Sequence, residues 1–423
     1  MIMPKIFVLI LMIIALAFIT AQPSFAQEKN TWWKIQSIDT MKYSRDLARE
    51  KSKDASFDQV IDQQVSAIAA TGATHVAIGT PYDDEFIPFL KKWVFAARKY
   101  NLNVWFRGNF SGWEGWFEYQ DISREDHLKK TERFIQNNGD LFKSGDIFTA
   151  CPECENGGPG DPRQTGDVEG FRKFLIDSKK IAVKAFVAQG KKDIETSYFS
   201  MNGDVAKLIM DKETTRNLGG VVAVDHYVST GKKLADDLRE YMSLSGGKVI
   251  LSEFGAPILD IHGQMTQEQQ QKWVTDTLSE ISKVDGVIGL NYWANLGSST
   301  HLWEDNMAER KAVSALKSYY SPAVIGGNIT NQIGQKIAYA SVKIDDTEYK
   351  TDASGLFTIM YPANPTETEK TLHISASEYI STFQKIDTKN TPDLNIVLEK
   401  ENEGVFFKIR KFFYTKFLKN IIA

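Results

Sequence analysis

The segment FTACPECENGGPG, residues 148–160, brings two glutamates and two cysteines within five positions of one another. Glu153 and Glu155 have the chemistry of a general acid, a base or a nucleophile. Cys151 and Cys154 have the spacing of half a zinc site, but the sequence contains no second C-x-x-C and no H-x-x-x-H to complete it. A thioredoxin-like dithiol would belong to a much smaller βαβ domain. We therefore expect a local disulfide or two packed thiols, and the glutamates are the better candidates for chemistry.

Other chemically capable side chains follow apolar runs elsewhere in the chain. Glu253 lies near the end of the run KVILSEF. Three further runs end in side chains that can hydrogen-bond or stack on a polar ligand, namely Asp39, His226, Tyr227, Asn291 and Trp293. These residues need a scaffold that brings the ends of several strands together.

Eight short apolar or β-branched runs supply such a scaffold, and an amphipathic segment with helical spacing follows each of them. The alternation predicts parallel strands, and eight units within residues 32–320 predict a (β/α)8 TIM barrel. A doubly wound open sheet is the alternative, but no G-x-G-x-x-G follows the first run. Helix starts are predicted at Ser123, Asp167, Thr266 and Asp305. The predicted strands are 34–39, 74–79, 102–107, 146–151, 194–199, 221–227, 248–254 and 287–293.

In a closed barrel, Glu153 and Glu253 follow the fourth and seventh strands and face each other across the opening. Such a pair suits the cleavage of a glycosidic bond, in which one carboxyl protonates the leaving oxygen and the other attacks the anomeric carbon. Two carboxylates in close proximity cannot both stay charged at low cost. One pKa therefore rises, and that group becomes the acid.

These residues resemble the active site of the clan A retaining glycoside hydrolases, the superfamily of family 5 cellulases and mannanases, over residues 32–320. The ending SEFG of strand seven is similar to that of the clan, so the resemblance implies that Glu253 is the nucleophile. It also implies that Glu153 is the acid/base and that neither a cofactor nor a metal is needed. Tyr227 and Trp293 match positions that steady the nucleophile and form the floor of a sugar subsite.

The fourth strand departs from the pattern of the clan. The clan usually has Asn-Glu-Pro at this point, whereas this chain has Pro152-Glu153-Cys154. The substitution of proline removes the usual side-chain donor to the sugar 2-hydroxyl. Glu155 is the fallback candidate for the acid/base, and Asn156 could supply the lost polar contact.

The loop RGNFSGWEGWFEYQ after strand three carries aromatic residues without a helical period, and flat rings of this kind stack on sugar rings. The alternative is a loop folded over its own aromatics. Arg107 could pair with Glu253 and keep it ionised. His301 with Trp303 is a further candidate, whereas Trp93 and Trp273 are predicted to be core. The predicted substrate-binding residues are Asp39, Tyr82, Arg107, Trp113, Trp116, Glu155, Asn156, Tyr198, His226, Tyr227, Asn291 and Trp293.

After Tyr320 the helical period gives way to alternation between turns, which predicts a small all-β sandwich over residues 323–400. It resembles the carboxypeptidase regulatory-like, transthyretin-type domain, and the resemblance implies an accessory module without chemistry of its own. The matching residues are Gly327, Ala340, Thr351, Gly355, Phe357, Ala376 and Tyr379. Residues 401–423 form a basic amphipathic tail, which could contact an anionic membrane surface, dock on its own domain or remain disordered.

The N-terminus combines Lys5, an apolar run over residues 6–19 and small residues before Gln27, which is typical of a secretory signal peptide over residues 1–26. An uncleaved membrane anchor is the alternative. The sequence therefore predicts a secreted protein, in the medium, the periplasm or at the cell surface. A net charge of −4 argues against a nucleic-acid partner, because such binding depends on basic surfaces.

Taken together, these features predict a secreted retaining glycoside hydrolase that acts on a β-linked poly- or oligosaccharide. A non-catalytic carbohydrate-binding or cell-surface scaffold protein on the same barrel is the alternative, because the usual asparagine before Glu153 is missing. A metal-dependent barrel hydrolase is a third reading, and it predicts bound zinc in the purified protein.

Overall fold

The computed structural model of the protein describes residues 31–345, 347–364, 367–388 and 393–401. The predicted signal peptide, and the predicted tail apart from Glu401, lie outside the described residues. None of the helices in the described ranges combines the length and the apolar character that crossing a bilayer requires.

The larger part of the chain is a barrel of eight parallel strands in the order β4-β3-β2-β1-β8-β7-β6-β5. The two ends of this row meet through a parallel bridge between Ile147 and Glu195, where Phe148 N donates to Glu195 O at 2.8 Å. The predicted fold class, a TIM barrel followed by a small β domain, is confirmed. The barrel strands are β1 (Ile35–Asp39), β2 (His75–Ile78), β3 (Asn103–Phe106), β4 (Ile147–Phe148), β5 (Ser200–Asn202), β6 (Val221–Asp225), β7 (Lys248–Phe254) and β8 (Val287–Tyr292).

Alternation along the strands divides the apolar residues between two cores. In β6, Val221 and Ala223 belong to a cluster inside the barrel, whereas Val222 and Val224 pack in the larger cluster that includes the helices. The inner cluster is closed by large side chains such as Trp105 and contains residues from most of the strands. The interior is therefore a packed core, and ligands can approach only at the ends of the strands.

Helices surround the barrel and begin mostly where the sequence predicts. Capping boxes at Ser123 and Thr266 and a side-chain cap at Asp167 confirm three of the four predicted starts. The fourth is wrong, because Asp305 lies in a turn and pairs with Lys42. The helices are α1 (Arg45–Lys51), α2 (Phe57–Ala69), α3 (Ile87–Lys99), α4 (Ser111–Glu114), α5 (Arg124–Asn137), α6 (Pro162–Thr165), α7 (Val168–Ala188), α8 (Gly203–Ile209), α9 (Lys212–Asn217), α10 (Gly231–Ser245), α11 (Leu259–His262), α12 (Gln267–Ile281) and α13 (Ala312–Tyr320).

Two strands differ from their predicted bounds. The fourth strand is only Ile147–Phe148, shorter than the predicted 146–151, and the fifth begins at Ser200 rather than at 194. The bounds of β5 follow from its pairing, because it pairs with β6 only from Ser200 onward. The predicted residues before Ser200 contribute only the bridge of Glu195 to Ile147. The chain that follows β4 therefore leaves the regular sheet ladder after Thr149, whose N donates to Phe106 O at 3.0 Å.

The second part of the chain is a two-sheet β domain with its own apolar core, which includes Ile325, Val342 and Leu372. One sheet has the order β11-β10-β13-β14 and the other β12-β9-β15. Its first strand starts at Ala323, directly after α13. The strands are β9 (Ala323–Asn331), β10 (Ser341–Ile344), β11 (Thr347–Lys350), β12 (Leu356–Tyr361), β13 (Glu369–Ser375), β14 (Thr382–Asp387) and β15 (Leu394–Leu398).

The β domain meets the barrel at the end where the barrel strands begin. Gln36, at the start of β1, donates from Nε2 to Tyr320 O at 2.9 Å, which fixes the end of α13 there. Ala363 N of the β domain donates to Ser318 O at 2.9 Å. The carboxyl ends of the strands remain uncovered by this domain.

Candidate active site

A cleft of about 730 Å³ opens at the carboxyl ends of the barrel strands. Its size falls within the range of roughly 300 to 1,000 Å³ that is usual for ligand sites. Charged, aromatic and small side chains from several βα loops contribute to its wall. The lining residues are Met41, Lys42, Ser44, Arg45, Asp46, Leu47, Gly79, Arg107, Asn109, Glu114, Trp116, Pro152, Glu153, Tyr227, Glu253, Ile258 and Trp293.

Glu253 reaches the cleft because β7 contains a bulge. The pairing with β6 moves from Val224–Leu251 to Asp225–Glu253, so Ser252 is an extra residue in β7. Strict alternation from the inward Ile250 would have turned Glu253 away from the barrel axis. The bulge reverses this direction and leaves the carbonyl of Ser252 outside the ladder.

Two donors hold the carboxylate of Glu253. Arg107 Nη2 lies 2.9 Å from Oε1, and Tyr227 Oη donates to Oε2 at 2.8 Å. Both oxygens thus have a partner in a site that is almost closed to solvent. Burial raises the pKa of Glu253 to about 7, and the bonds to the Arg107 cation and to Tyr227 oppose this shift because they favour the ionised form. Its direct contact with the cation makes Glu253 the better carboxylate nucleophile of the facing pair.

Arg107 is the only cation in this group of described side chains, and it is fully buried. Its Nη1 donates to Asp39 Oδ2 at 2.6 Å and to Ser252 O at 2.9 Å, while Nη2 lies 3.5 Å from Asp225 Oδ1. Burial alone would lower the pKa of Arg107, but the surrounding carboxylates, Glu253 foremost, raise it above the ordinary value. The guanidinium therefore stays charged.

Asp39 and Asn291 lie beneath Arg107 rather than at the surface of the cleft. Asn291 Nδ2 donates to Asp39 Oδ2 at 3.0 Å and to Ser252 O at 2.8 Å, and both side chains are completely buried. The predicted role of these two residues in substrate contact therefore needs correction. They orient the guanidinium that in turn orients Glu253.

Glu153 stands on the opposite wall, in an irregular loop. Its backbone has φ 42° and ψ 50°, in the left-handed region that residues other than glycine rarely adopt. Glu153 N donates to Ser200 O at 2.9 Å, and Glu153 O accepts from Asn156 N at 2.9 Å. Cys151 and Cys154 form a disulfide that encloses Pro152 and Glu153, so the alternative left open by the sequence is decided in favour of the disulfide.

The two glutamates approach each other closely across the cleft. One carboxylate oxygen from each of Glu153, Asp225 and Glu253 lies within 4.8 Å of the others. Carboxyl groups in retaining glycosidases are about 5 to 5.5 Å apart, and those in inverting enzymes about 6.5 to 9.5 Å. An approach of the nearest oxygens to within 4.8 Å is compatible with the shorter separation.

This crowding raises the pKa values of the acidic residues. Burial is the main cause of the raised pKa of both Glu153 and Asp225, and the charge of Arg107 opposes it in both. The negative charge of Glu155 raises the pKa of Glu153 further. The charge of Glu253 does the same at Asp225. One cation cannot balance the charges of all these carboxylates, so protons stay in the cluster. Among the described residues Glu153 has no ion-pair partner, whereas Glu253 contacts Arg107 directly. We therefore assign the proton of the facing pair to Glu153.

A metal ion is not needed to hold this cluster together. The three carboxylates have the spacing that could offer oxygen ligands to a cation. However, the guanidinium of Arg107 already lies against Asp225 and Glu253 and supplies positive charge there. The cysteines of the C-x-x-C motif are bonded to each other, so they do not provide thiolate ligands.

Aromatic residues stand at the sides of the cleft. Trp293 packs edge-on against Tyr227 with ring centroids 6.0 Å apart, and both are half-buried. Trp116 is also half-buried, and the guanidinium of Arg45 lies 5.3 Å from its ring. These three predicted residues line the cleft with faces that suit a sugar ring.

Three other predicted aromatic residues lie in the core instead. Trp113 is stacked on Phe174 at 5.0 Å, and Tyr82 donates to Thr149 O at 3.0 Å. Tyr198 fills the barrel interior beside Trp105. All three are almost fully buried and do not line the cleft, so the prediction that they contact substrate needs correction.

The remaining predicted residues do not line the cleft, although the Asn156 side chain hydrogen-bonds to Glu153. Glu155 is buried and accepts from Asn202 N at 2.8 Å, while Asn156 is exposed in the loop. His226 pairs with Asp237 at 2.8 Å on the helical side of β6. His301 bonds within its own loop, to Ser298 O at 2.7 Å. Trp93, Trp273 and Trp303 are buried, the first two as predicted.

Sequence reasoning missed several residues of the site. Asp225 is the clearest, because in the motif DHY it shares one face of the strand with Tyr227 while His226 takes the other. That two-residue period could have identified it. Glu114 also lines the cleft, accepts from Asn109 Nδ2 at 2.7 Å and has a pKa raised by burial to about 7. No sequence pattern indicated that Arg45 belongs to the site, since it does not directly follow a strand.

Comparisons with known proteins find similarity among solved structures. No protein-family model and no curated protein matches the sequence. Among solved structures, β-glucuronidase 2 of Bacteroides uniformis has a TM-score of 0.48 and 10% identity over 86% of this chain, which spans only 46% of that enzyme. A fungal β-1,4-galactanase has a TM-score of 0.46 and 16% identity, with 67% of this chain and 99% of that chain covered. A GH113 β-1,4-mannanase has a TM-score of 0.43 and 10% identity, with 69% and 99% covered.

Proposed function

We propose that the protein is a retaining glycoside hydrolase that cleaves a β-linked poly- or oligosaccharide. The observation that carries the proposal is the approach of Glu153 and Glu253, with carboxylate oxygens within 4.8 Å, across an open cleft. So close an approach suits a double displacement, in which the two carboxyl groups are nearer to each other than in an inverting enzyme.

In the first step Glu253 attacks the anomeric carbon as the glycosidic C–O bond breaks. Glu153 gives its proton to the departing oxygen, so the leaving group departs as an alcohol. Arg107 and Tyr227 fix the attacking carboxylate through one oxygen each. A covalent glycosyl-enzyme results, and Glu153 is left as a carboxylate.

In the second step Glu153 acts as a base. It takes a proton from water, whose oxygen attacks the anomeric carbon and releases Glu253. The product retains the β configuration because two inversions have occurred. The reaction needs no cofactor, since both protons and the nucleophile come from the two carboxyl groups and water.

The substrate class is inferred from the wall of the cleft. Trp116 and Trp293 are half-buried and present aromatic faces, which favour the apolar faces of pyranose rings. The volume of about 730 Å³ accommodates more than one sugar unit. A β-linked oligosaccharide or a segment of polysaccharide fits these features.

We extend the proposal to the location of the protein. The N-terminal 26 residues have the composition of a signal peptide. The Cys151–Cys154 disulfide agrees with export, because disulfides persist in oxidising compartments outside the cytoplasm. The expected location is the medium, the periplasm or the cell surface.

An activity screen on a panel of β-linked polysaccharides and oligosaccharides tests the function. We expect reducing ends to appear with at least one substrate, and Glu253→Gln to remove that activity. Glu240→Gln is the matched control, because Glu240 is a partly exposed residue of α10 that pairs with Lys207. Calorimetric titration of the same sugars separates the alternatives. Binding by wild type and Glu253→Gln without any hydrolysis would contradict the proposal and identify a carbohydrate-binding scaffold.

A further inference from the structure

We propose that the Cys151–Cys154 disulfide is a positioning element for acid catalysis, which holds the backbone of Glu153 so that its carboxyl faces Glu253. The inference rests on the proposed function and concerns the same site. It assigns a role to the C-x-x-C motif, which the mechanism above does not use.

The ladder of β4 does not hold Glu153, although Glu153 N donates to Ser200 O of β5 at 2.9 Å. Strand β4 ends at Phe148, five residues earlier, and its ladder stops there. Beyond the strand, Glu153 is fixed by only two backbone hydrogen bonds, to Ser200 and from Asn156. Neighbouring loop residues are well bonded, for example Cys154 O, which accepts from Trp113, and Glu155, which accepts from Asn202, but two bonds alone leave the backbone dihedral angles of Glu153 weakly constrained.

The backbone of Glu153 would not hold its conformation unaided. With φ at 42° its Cβ lies close to its own carbonyl, and a residue other than glycine leaves this region unless its surroundings fix it. The disulfide joins the residues on either side of Pro152 and Glu153. It therefore excludes most of the extended conformations into which the loop could relax.

The disulfide is itself firmly packed. Both cysteines are buried, Trp113 Nε1 donates to Cys154 O at 3.3 Å, and Asn109 Nδ2 lies 3.6 Å from Cys151 Sγ. Trp113 O in turn accepts from Gly158 N at 2.8 Å. The disulfide thus connects the backbone of Glu153 to well-packed residues of the core.

Burial also separates this role from a redox one. A disulfide that exchanges with thiols must expose a sulfur to an attacking thiolate, whereas Cys151 and Cys154 are 0% and 2% exposed. The cross-link is therefore a permanent part of the folded protein. The disulfide should therefore affect the rate of the acid-catalysed step.

The experiment compares two leaving groups. Phenyl and 2,4-dinitrophenyl β-glycosides are prepared for glucose, galactose, mannose and glucuronic acid, and the pair that the wild type cleaves is used. Dinitrophenolate departs without a proton, whereas phenolate needs one from the acid. In Cys151→Ser/Cys154→Ser we expect kcat/KM for the phenyl glycoside to fall by about 10- to 100-fold, part of the roughly 10²- to 10⁴-fold that acid catalysis contributes. The dinitrophenyl value should change less than about 3-fold, because it needs no positioned acid.

A second readout is the basic limb of the pH profile of kcat/KM, which reports the pKa of the acid in the free enzyme. We expect this limb to move in the disulfide variant, since a displaced Glu153 meets different neighbours. The pair Cys151→Ala/Cys154→Ala is measured in parallel, because alanine suits a buried apolar site and protects the test against a folding defect of the serine pair. Thermal melts record the stability of both.

Control variants separate this inference from the function on which it rests. Glu153→Ala should show the same leaving-group dependence at its full size, and Glu253→Gln should abolish both activities. If these controls behave so while the disulfide variants lose both substrates equally, or lose neither, the positioning role is overturned and the function stands. If Glu153→Ala shows no leaving-group dependence, the assignment of the acid itself fails.

Discussion

The two walls of the cleft position their glutamates in different ways. On the strand side, Glu253 belongs to β7, which pairs with β6 and β8, and it has Arg107 and Tyr227 as partners. On the loop side, residues 149–158, Glu153 stands beyond the end of a two-residue strand and inside a disulfide ring. The sheet places one carboxyl group through the pairing of β7 and its bulge at Ser252. The opposing group, which must give up and recover a proton, is held by a cross-linked loop.

The largest effect should come from removing each glutamate in turn. Glu253→Ala should lower kcat by about 10⁴-fold or more, since the loss of a nucleophile in another hydrolase costs about 10⁶-fold. Glu153→Ala should cost about 10²- to 10⁴-fold with poor leaving groups. Sodium azide with a dinitrophenyl glycoside should then give an α-glycosyl azide with Glu253→Ala and a β-glycosyl azide with Glu153→Ala.

The reason is that azide replaces Glu253 directly in the first variant, whereas in the second it attacks the glycosyl-enzyme and restores the configuration. The anomeric coupling constant in the proton NMR spectrum identifies the anomer of the glycosyl azide. Glu240→Gln is the control, and it should form no glycosyl azide. The same anomer from both variants would mean that the two walls do not have different roles.

A second large effect is expected on the strand side from Arg107→Met. The variant leaves Asp39 and Glu253 buried beside each other without their cation, so the free energy of unfolding should fall by about 3 to 5 kcal/mol. Urea unfolding at pH 7 measures the change. Arg239→Met, which removes a surface pair with Asp236, should cost less than about 1 kcal/mol. Equal losses in the two variants would contradict the role of Arg107 as the central charge of the cluster.

The loop side is tested by a pair of neighbouring tryptophans. Trp113→Ala removes a buried ring that supports the disulfide loop and should lower the free energy of unfolding by about 3 to 5 kcal/mol. Trp116→Ala changes a half-buried ring at the cleft and should raise KM about 2- to 10-fold. Urea unfolding and steady-state kinetics of both variants measure these effects. An unchanged KM in Trp116→Ala would show that this residue does not contact substrate.

The smallest effect concerns Glu114 and pH. Burial raises its pKa from 4.5 to about 7, so the folded protein binds this proton more tightly than the unfolded chain does. The stability that the proton contributes is complete below about pH 4.5 and is lost as the pH rises through about 7. Glu114→Gln does not titrate, so its free energy of unfolding relative to wild type should increase by roughly 1 to 3 kcal/mol between pH 4.5 and pH 8. Parallel stability curves for the two proteins would contradict the shift.

The barrel could be predicted because its signal is repeated eight times. Each strand run is short, apolar and followed by a helical period, and an error at one unit does not change the count. The ends of β4 and β5 could not be predicted in the same way. Which residues pair depends on the register of a distant neighbour, and an isolated run carries no information about that register.

The strand side of the site was largely predictable, and the loop side was not. Arg107, Tyr227 and Glu253 follow or end strands, so the topology alone brings them together. The direction of Glu253 nevertheless depends on the bulge at Ser252, which alternation does not reveal.

In the loops, composition identified aromatic residues but not their direction. Trp113 and Trp116 lie three positions apart in the same loop, yet one packs on a helix and the other faces the cleft. Which ring turns inward is decided by α7, whose Phe174 lies far away in the sequence. Trp113 belongs to the short α4 helix, whereas Trp116 follows Gly115, which ends that helix in the left-handed conformation.

The attachment of the β domain has a consequence for how the whole molecule meets its surroundings. Only Ser321 and Pro322 separate α13 from β9, and the junction lies where the barrel strands begin. So short a link allows little rotation between the two domains. The β domain therefore lies at the end of the barrel opposite the cleft. A contact made through the β domain would therefore leave the cleft open to substrate.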